Sequence, residues 1–274
     1  MAKLGGMSPA NHDQVPSSLE VLVLSNITKG SAMKKLILAT AVTAAFMSST
    51  AQAQDKKPDH EVSFNAAVVS DYRYRGISQT RLDPALQGGA DYVNNPSGFY
   101  VGTWLSTIKW IKDVPGGDAN IEWDIYAGKR GEIVPDVPYD VGVLTYIYPS
   151  NNLNPSANTT EIYGQIGYGP AYIKYSHSVT NLFGFADSKN SGYLDIGANI
   201  DVGNGFTVNL HAGRQRVRNN SAASYTDYKL GVTKDFGFMT GSLAYIDTNT
   251  DAYVGPNGKN LGKGRAVLSI SKTF

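Results

Sequence analysis

The chain has 274 residues, with 24 Lys and Arg against 23 Asp and Glu, a formal net charge of +1, and no cysteine. A disulfide framework and a thiolate metal site are therefore impossible, and so balanced a charge gives no reason to expect nucleic acid as a partner. Abundant Gly and Tyr, 29 and 17 residues, with no later apolar run of spanning length, exclude a helical membrane protein and point to an all-β chain.

Residues 1–32 carry no targeting character and read as a non-native or mis-called N-terminal extension ahead of Met33. From Met33 to Ala53 the pattern is that of a secretory signal peptide: basic Met33-Lys34-Lys35, an apolar run from Leu36 to Met47, and Ala51-Gln52-Ala53 as the cleavage site. Cleavage after Ala53 leaves residues 54–274 as one β domain, since no linker-like stretch divides them.

Alternation of apolar and polar residues predicts strands near 61–75, 86–94, 98–108, 119–128, 138–148, 159–167, 170–180, 192–202, 205–216, 224–235, 237–247 and 263–274. In the first, Val62, Phe64, Ala66, Val68, Tyr72 and Tyr74 face one way, and Ser63, Asn65, Asp71, Arg73 and Arg75 the other. In the eighth, Leu194, Ile196, Ala198 and Ile200 oppose Asp195, Asn199 and Asp201. The polar faces are too charged for a packed core, which predicts a transmembrane antiparallel up-and-down β-barrel of about 12 strands, the even number that bacterial single-chain barrels have.

The connections sort into two classes. Those after the odd-numbered segments are long and polar, and most of the others are turns as short as Gly169 or Gly203-Asn204. The stretch from Lys129 to Val137 is too long for its class. Long loops on one rim and tight turns on the other predict that both termini are periplasmic. Tyr92, Phe99, Tyr168, Tyr172, Phe206, Phe236, Phe238 and Phe274 flank the tight turns and form the expected periplasmic girdle. The last segment, Gly264 to Phe274, sets Ala266, Leu268 and Ile270 toward lipid, and its terminal Phe274 is the aromatic ending expected for recognition by the barrel-assembly machinery.

The run Val62-Ser63-Phe64-Asn65 to Ser70-Asp71-Tyr72-Arg73-Tyr74-Arg75-Gly76-Ile77-Ser78-Gln79, with Tyr228 to Gly237 and Ala244 to Thr248, resembles the TorF-type porin family. That family is catalogued as a conserved hypothetical protein of proteobacteria. The resemblance spans nearly all of 54–274 and implies an outer-membrane barrel; it carries over no substrate and no functional residue.

The chemistry expected of this chain is not catalytic. Outer-membrane lipid hydrolases set a His-x-Ser pair on one strand face, whereas His60, His177 and His211 are followed two places on by Val62, Val179 and Gly213. The calcium-loop spacing at Asp247, Asn249 and Asp251 lacks Gly at position six and Glu at position twelve, where Ala252 and Gly258 stand. No cofactor is expected.

The lumen-facing charges carry the functional content: Asp71, Arg73, Arg75, Asp91, Glu122, Asp124, Asp140, Glu161, Lys174, Asp195, Asp201, Asp227, Lys229 and Arg265. In an open water column these groups would line a pore with a weak cation preference. Paired across strands, they would plug it. Arg73 and Arg75 either meet an anionic solute or facing carboxylates, or anchor the first long loop by an ion pair. The leading expectation is an outer-membrane porin passing small hydrophilic solutes by diffusion, with outer-membrane lipid as its surroundings. The alternative is a non-conducting structural or receptor-like barrel.

Overall fold

The computed structural model describes residues 57–274. The extension 1–32, the signal segment 33–53 and cleavage after Ala53 lie outside the described residues. The strands are β1 (His60–Val69), β2 (Arg73–Tyr74), β3 (Ile77–Ser78), β4 (Ala85–Asn94), β5 (Phe99–Thr107), β6 (Ile121–Val134) and β7 (Val137–Ile147). They continue as β8 (Thr159–Tyr168), β9 (Ala171–Ser178), β10 (Gly192–Gly203), β11 (Phe206–Arg216), β12 (Tyr225–Asp235), β13 (Thr240–Thr248) and β14 (Arg265–Thr273). All but β2 and β3 form one closed antiparallel barrel in which each strand pairs with its neighbours in sequence, so that twelve strands make the wall.

Closure is made by β1 against β14, in register from Asn65 opposite Thr273 to Val69 opposite Ser269. The terminal residue takes part: Phe274 N donates to Phe64 O at 2.8 Å and Phe64 N to Phe274 O at 3.2 Å. At the other end of the seam, Ser70 N donates to Leu268 O at 2.8 Å. Unpaired backbone groups in lipid cost several kcal/mol each, and this ladder leaves no edge between first and last strands.

The outward face is apolar. Val62, Phe64, Leu86, Val101, Ile125, Val143, Ile162, Ile196, Leu230 and Leu268 are all exposed there, a continuous belt that only a nonpolar surrounding makes stable. Toward the tight turns the belt ends in Phe99, Phe206, Phe236 and Phe274, with ammonium groups of Lys129, Lys234 and Lys272 lying 4.4–5.2 Å from rings of Phe99, Phe206 and Phe274. Each lysine lays its stem on apolar surface and carries its charge to the headgroup layer. Tyr172 departs from the expected girdle: the pairing of β9 turns it inward, over Gly197.

Two further expectations need correction. The stretch after the fourth barrel strand is not a loop, because β6 and β7 run on together to a two-residue turn at Pro135-Asp136, where Asp136 has φ 66°. The first strand does not continue to residue 75, because β1 ends at Val69 and the chain then bends into the barrel. Tyr72 and Tyr74, expected on the lipid face, are therefore inside.

Inward glycines make room for large inward neighbours. Tyr126, Tyr163, Tyr172 and Tyr193 lie over Gly102, Gly142, Gly197 and Gly213 of adjacent strands, where a Cβ would collide with the ring or its hydroxyl. A tyrosine laid across a glycine fills the lumen without widening the wall. Many of the glycines thus answer to packing inside the barrel rather than to turns.

Arginine in place of Ile196, 50% exposed on the outward face near the middle of β10, is expected to cost about 2–4 kcal/mol of folding free energy in a bilayer. Arginine at inward Asn199 should leave folding nearly unchanged, and urea titration of the lipid-embedded protein reads both.

Candidate functional site

The first long loop, residues 70–84, enters the lumen from the long-loop end and carries β2 and β3 as a miniature hairpin. Its turn is Tyr74-Arg75-Gly76-Ile77, with φ 46° at Arg75 and 82° at Gly76, the two positive values that a tight two-residue hairpin loop requires. Gly76 is needed for space as well. A Cβ there would stand 2.5 Å from Thr248 Cγ2 and 2.7 Å from Asp227 Cβ, so the hairpin tip touches the barrel wall.

Arg75 pins the tip to the opposite side. Its guanidinium donates to both carboxylate oxygens of Glu161, Nη1 to Oε1 at 3.0 Å and Nη2 to Oε2 at 2.7 Å, and Nη1 also donates to Gln215 Oε1 at 2.7 Å. The same group lies 4.2 Å from the ring centroid of Tyr193 and 4.8 Å from that of Tyr74. A bidentate, stacked and buried arginine is the strongest form that such a pair takes.

The rest of the loop is held as firmly. Tyr72 donates to Glu122 Oε1 at 2.7 Å, and the hydroxyls of Tyr74 and Tyr146 are 2.5 Å apart. Arg73 Nε donates to Asp71 Oδ2 at 2.8 Å and its Nη1 to Gly76 O at 3.1 Å, while Ser78 Oγ donates to Asp71 Oδ1 at 2.5 Å. Gln79 O accepts from Lys109 N at 2.8 Å, and Leu261 O accepts from Ser78 N at 3.0 Å, which ties the hairpin to two other long loops. The long loops after β5 and β7 pack together around Ile111, Tyr148 and Ala157, all buried, and Leu182 of the loop after β9 is buried in a separate cluster with Val217 and Ala223. On the exposed outer surface Lys109 Nζ donates to Asp83 Oδ2 at 2.6 Å, and that hydrogen bond holds the Asp83 carboxyl below its ordinary range.

A second cluster lies on the wall beside the hairpin tip. His211 sits between two carboxylates, Nδ1 2.8 Å from Asp195 Oδ1 and Nε2 2.6 Å from Asp227 Oδ2, and Tyr193 donates to Asp227 Oδ1 at 3.0 Å. Lys229 stands directly opposite His211 in the β11–β12 register. Nearer the tight turns the inward residues keep accessible surface. Asp91, which accepts from Tyr126 at 2.6 Å, and Tyr100, Asn199, Asn209 and Thr233 are half-buried.

The charges expected in the lumen are accordingly inside but not alike. Asp71, Arg73, Glu122, Asp124, Asp140, Glu161, Lys174, Asp195 and Asp227 are 1–5% exposed. Asp91 and Lys229 are half-buried, and Asp201 is exposed at the tight-turn end. Arg265 is exposed at the outer mouth, where it borders a groove with Arg81 and Lys259. The structure joins Arg75 to Glu161 and Arg73 to Asp71, and leaves Asp91 and Arg265 apart from them. Arg73 and Arg75 belong to the inserted hairpin, not to the first barrel strand, and both are in ion pairs there. Lys174 lies 4.1 Å from the Tyr163 ring centroid. His211 and the inward tyrosines were not singled out as lumen residues by sequence, although period-2 alternation already places residues 209, 211, 213 and 215 on one face.

These features define a class: a closed transmembrane β-barrel whose first long loop occupies its lumen. The chain belongs to the family described as "Bacterial protein of unknown function (Gcw_chp)", whose model matches residues 53–274. No curated protein matches it in sequence. Among solved structures it is similar to a chain from work on the in-meso crystallization of membrane proteins, with 10% identity over 78% of this chain and 83% of that one and a TM-score of 0.48. It is also similar to LpxR from Salmonella typhimurium (12% identity, 77% and 99% covered, TM-score 0.37) and to the outer membrane protein OprD from Pseudomonas aeruginosa (8%, 78% and 64%, 0.35). These scores, all below 0.5, bear on neither substrate nor activity.

Replacing Arg75 by Met, which leaves Glu161 buried without its cation, is expected to destabilise the protein by about 3–5 kcal/mol. The double variant Arg75→Met/Glu161→Gln should recover most of that loss, and a double-mutant cycle of unfolding free energies measures the coupling.

Proposed function

We propose that this protein is an outer-membrane barrel of porin type that its own first long loop holds shut at rest, small hydrophilic solutes crossing only when that loop withdraws. The observation that carries this reading is the burial of the lumen charges. A side chain bordering a water column keeps accessible surface, whereas Asp71, Glu122, Asp124, Glu161 and Asp227 are each 1% exposed. The half-buried Asp91, Tyr100, Asn199, Asn209 and Thr233 toward the tight turns support passage in the withdrawn state, since they offer carboxylate, hydroxyl and amide groups to a solute.

Selection would be steric and electrostatic, with no covalent step. Withdrawal of the hairpin removes Arg73 and Arg75 and uncovers Glu122, Glu161 and Asp227, so the opened lumen favours cations. The resemblance to the TorF-type porin family and the apolar belt support placement in an outer membrane, reached by export and inserted by the barrel-assembly machinery. The non-conducting barrel remains the rival reading, favoured by the same burial if the hairpin never leaves.

Planar-bilayer recording of the exported form of the protein tests this. The wild type should show long closed intervals, and a variant with residues 71–83 replaced by a short Gly-Ser linker should give steady current steps. Steady conductance in the wild type equal to that of the variant would remove the closed-at-rest reading. Silence in both, with the barrel folded, would leave the non-conducting barrel in its place.

A further inference from the structure

The outer end of β11 carries arginines that the lumen does not use. In Gly213-Arg214-Gln215-Arg216-Val217-Arg218, Gln215 and Val217 are buried, and Gln215 Nε2 donates inward to Gly192 O at 3.1 Å. The alternation turns Arg214 and Arg216 outward, both exposed, where the apolar residues Val208 and Leu210 of the same face give way to the long-loop rim. Arg218 follows in the loop, also exposed.

Arg216 and Arg218 border a groove of about 640 Å3 together with Asn190, Asn219, Ser221 and Ser224. That volume lies within the range of small-molecule sites. Gly192 stands opposite Arg216 in the register and His177 opposite Gly192 on the far side, so His177 and Arg216 are two strand spacings apart, roughly 10 Å. Tyr175 lies over Gly192 between them. Lys189, exposed, adds a fourth cation from the neighbouring loop.

No carboxylate pairs with these cations among the described residues. Arg214 donates to Thr226 Oγ1 at 3.1 Å. The single acid of the two loops concerned is Asp187, exposed, and the next outward carboxylate, Asp247, stands opposite Tyr228 on a strand further on. The concentration is local. At the corresponding outward positions of six other strands stand Val68, Leu86, Thr107, Ile121, Ile147 and Thr160.

An outward arginine at this height reaches polar headgroups at little cost, and guanidinium groups pair with phosphate oxygens in bidentate fashion. We propose that Arg214, Arg216 and Arg218, with Lys189, bind the phosphate groups of an outer-leaflet phosphoglycolipid headgroup, the groove taking part of its sugar. The proposal rests on the outer-membrane reading, in which the long loops face outward.

The test is titration of the detergent-solubilised, folded protein with bisphosphorylated lipid A and with the same lipid enzymatically dephosphorylated, followed by native mass spectrometry. The wild type should bind the phosphorylated form at least ~10-fold more tightly, about 1.4 kcal/mol. The variant Arg216→Gln/Arg218→Gln should lose that preference, while Lys272→Gln at the opposite rim keeps it; heat-modifiable gel mobility confirms that each variant is folded. Equal binding of the two lipids, an unchanged preference in the double variant, or full displacement of the lipid by inorganic phosphate would overturn the proposal. Failure of the wild type to float with phospholipid vesicles would overturn it together with the membrane reading, whereas loss of the preference in a protein that does float would count against this site alone.

Discussion

Every backbone donor and acceptor that lies in lipid must be bonded within the protein, and the β1–β14 seam is where this chain meets that demand. A terminal strand that frayed would expose a row of unpaired groups to hydrocarbon. Here even Phe274 exchanges two backbone bonds with Phe64, so the order of the last residue is a condition of closure. Once the seam is made, each residue's face follows, and the Val, Ile, Leu and Phe side chains have one side available to them. The phenyl rings beside Lys129, Lys234 and Lys272 then mark where hydrocarbon gives way to headgroups on the tight-turn side.

Closure creates a second problem, an interior too wide for strand side chains of ordinary size and too narrow to stand as a large open pore. The chain answers it with tyrosines laid over inward glycines and with the buried and half-buried stretch 71–80 of the first long loop returned into the lumen. Burying charges there is costly unless they meet partners, and several do, although Asp124 Oδ1 and Arg73 Nη2 are buried without a hydrogen bond. Arg75 joins Glu161, Arg73 joins Asp71, and His211 joins Asp195 and Asp227. Of these only the pair of Arg75 and Glu161 ties the hairpin to the wall; Arg73 with Asp71 braces the loop within itself, and the His211 cluster lies within the wall.

How much of this was legible depended on the distance over which the signal acts. Alternation along one strand needs only neighbours in sequence, so the belt, the girdle apart from Tyr172, and the inward sense of Glu122, Asp124, Lys174, Asp195 and Asp227 could be read directly. The alternation from Val62 also continues unbroken past Ser70 into Tyr72 and Tyr74, and nothing local marks the point where strand becomes plug. Residues Lys129 to Val137 mislead in the other direction, because a paired hairpin extending past the barrel rim has the polarity of a loop. The setting of His211 between two carboxylates is not legible in sequence, because those carboxylates come from positions 16 residues away on either side.

The sequence by itself determined the architecture: twelve membrane-crossing strands, long connections on one rim and short on the other, and an aromatic last residue. These are set by period-2 burial and by turn chemistry, both local. Only the tertiary structure decided whether the lumen is lined or filled. That outcome depends on Arg75 reaching Glu161 across 86 positions and on Gly76 fitting against Asp227 and Thr248, contacts between distant segments that no pattern along the chain encodes.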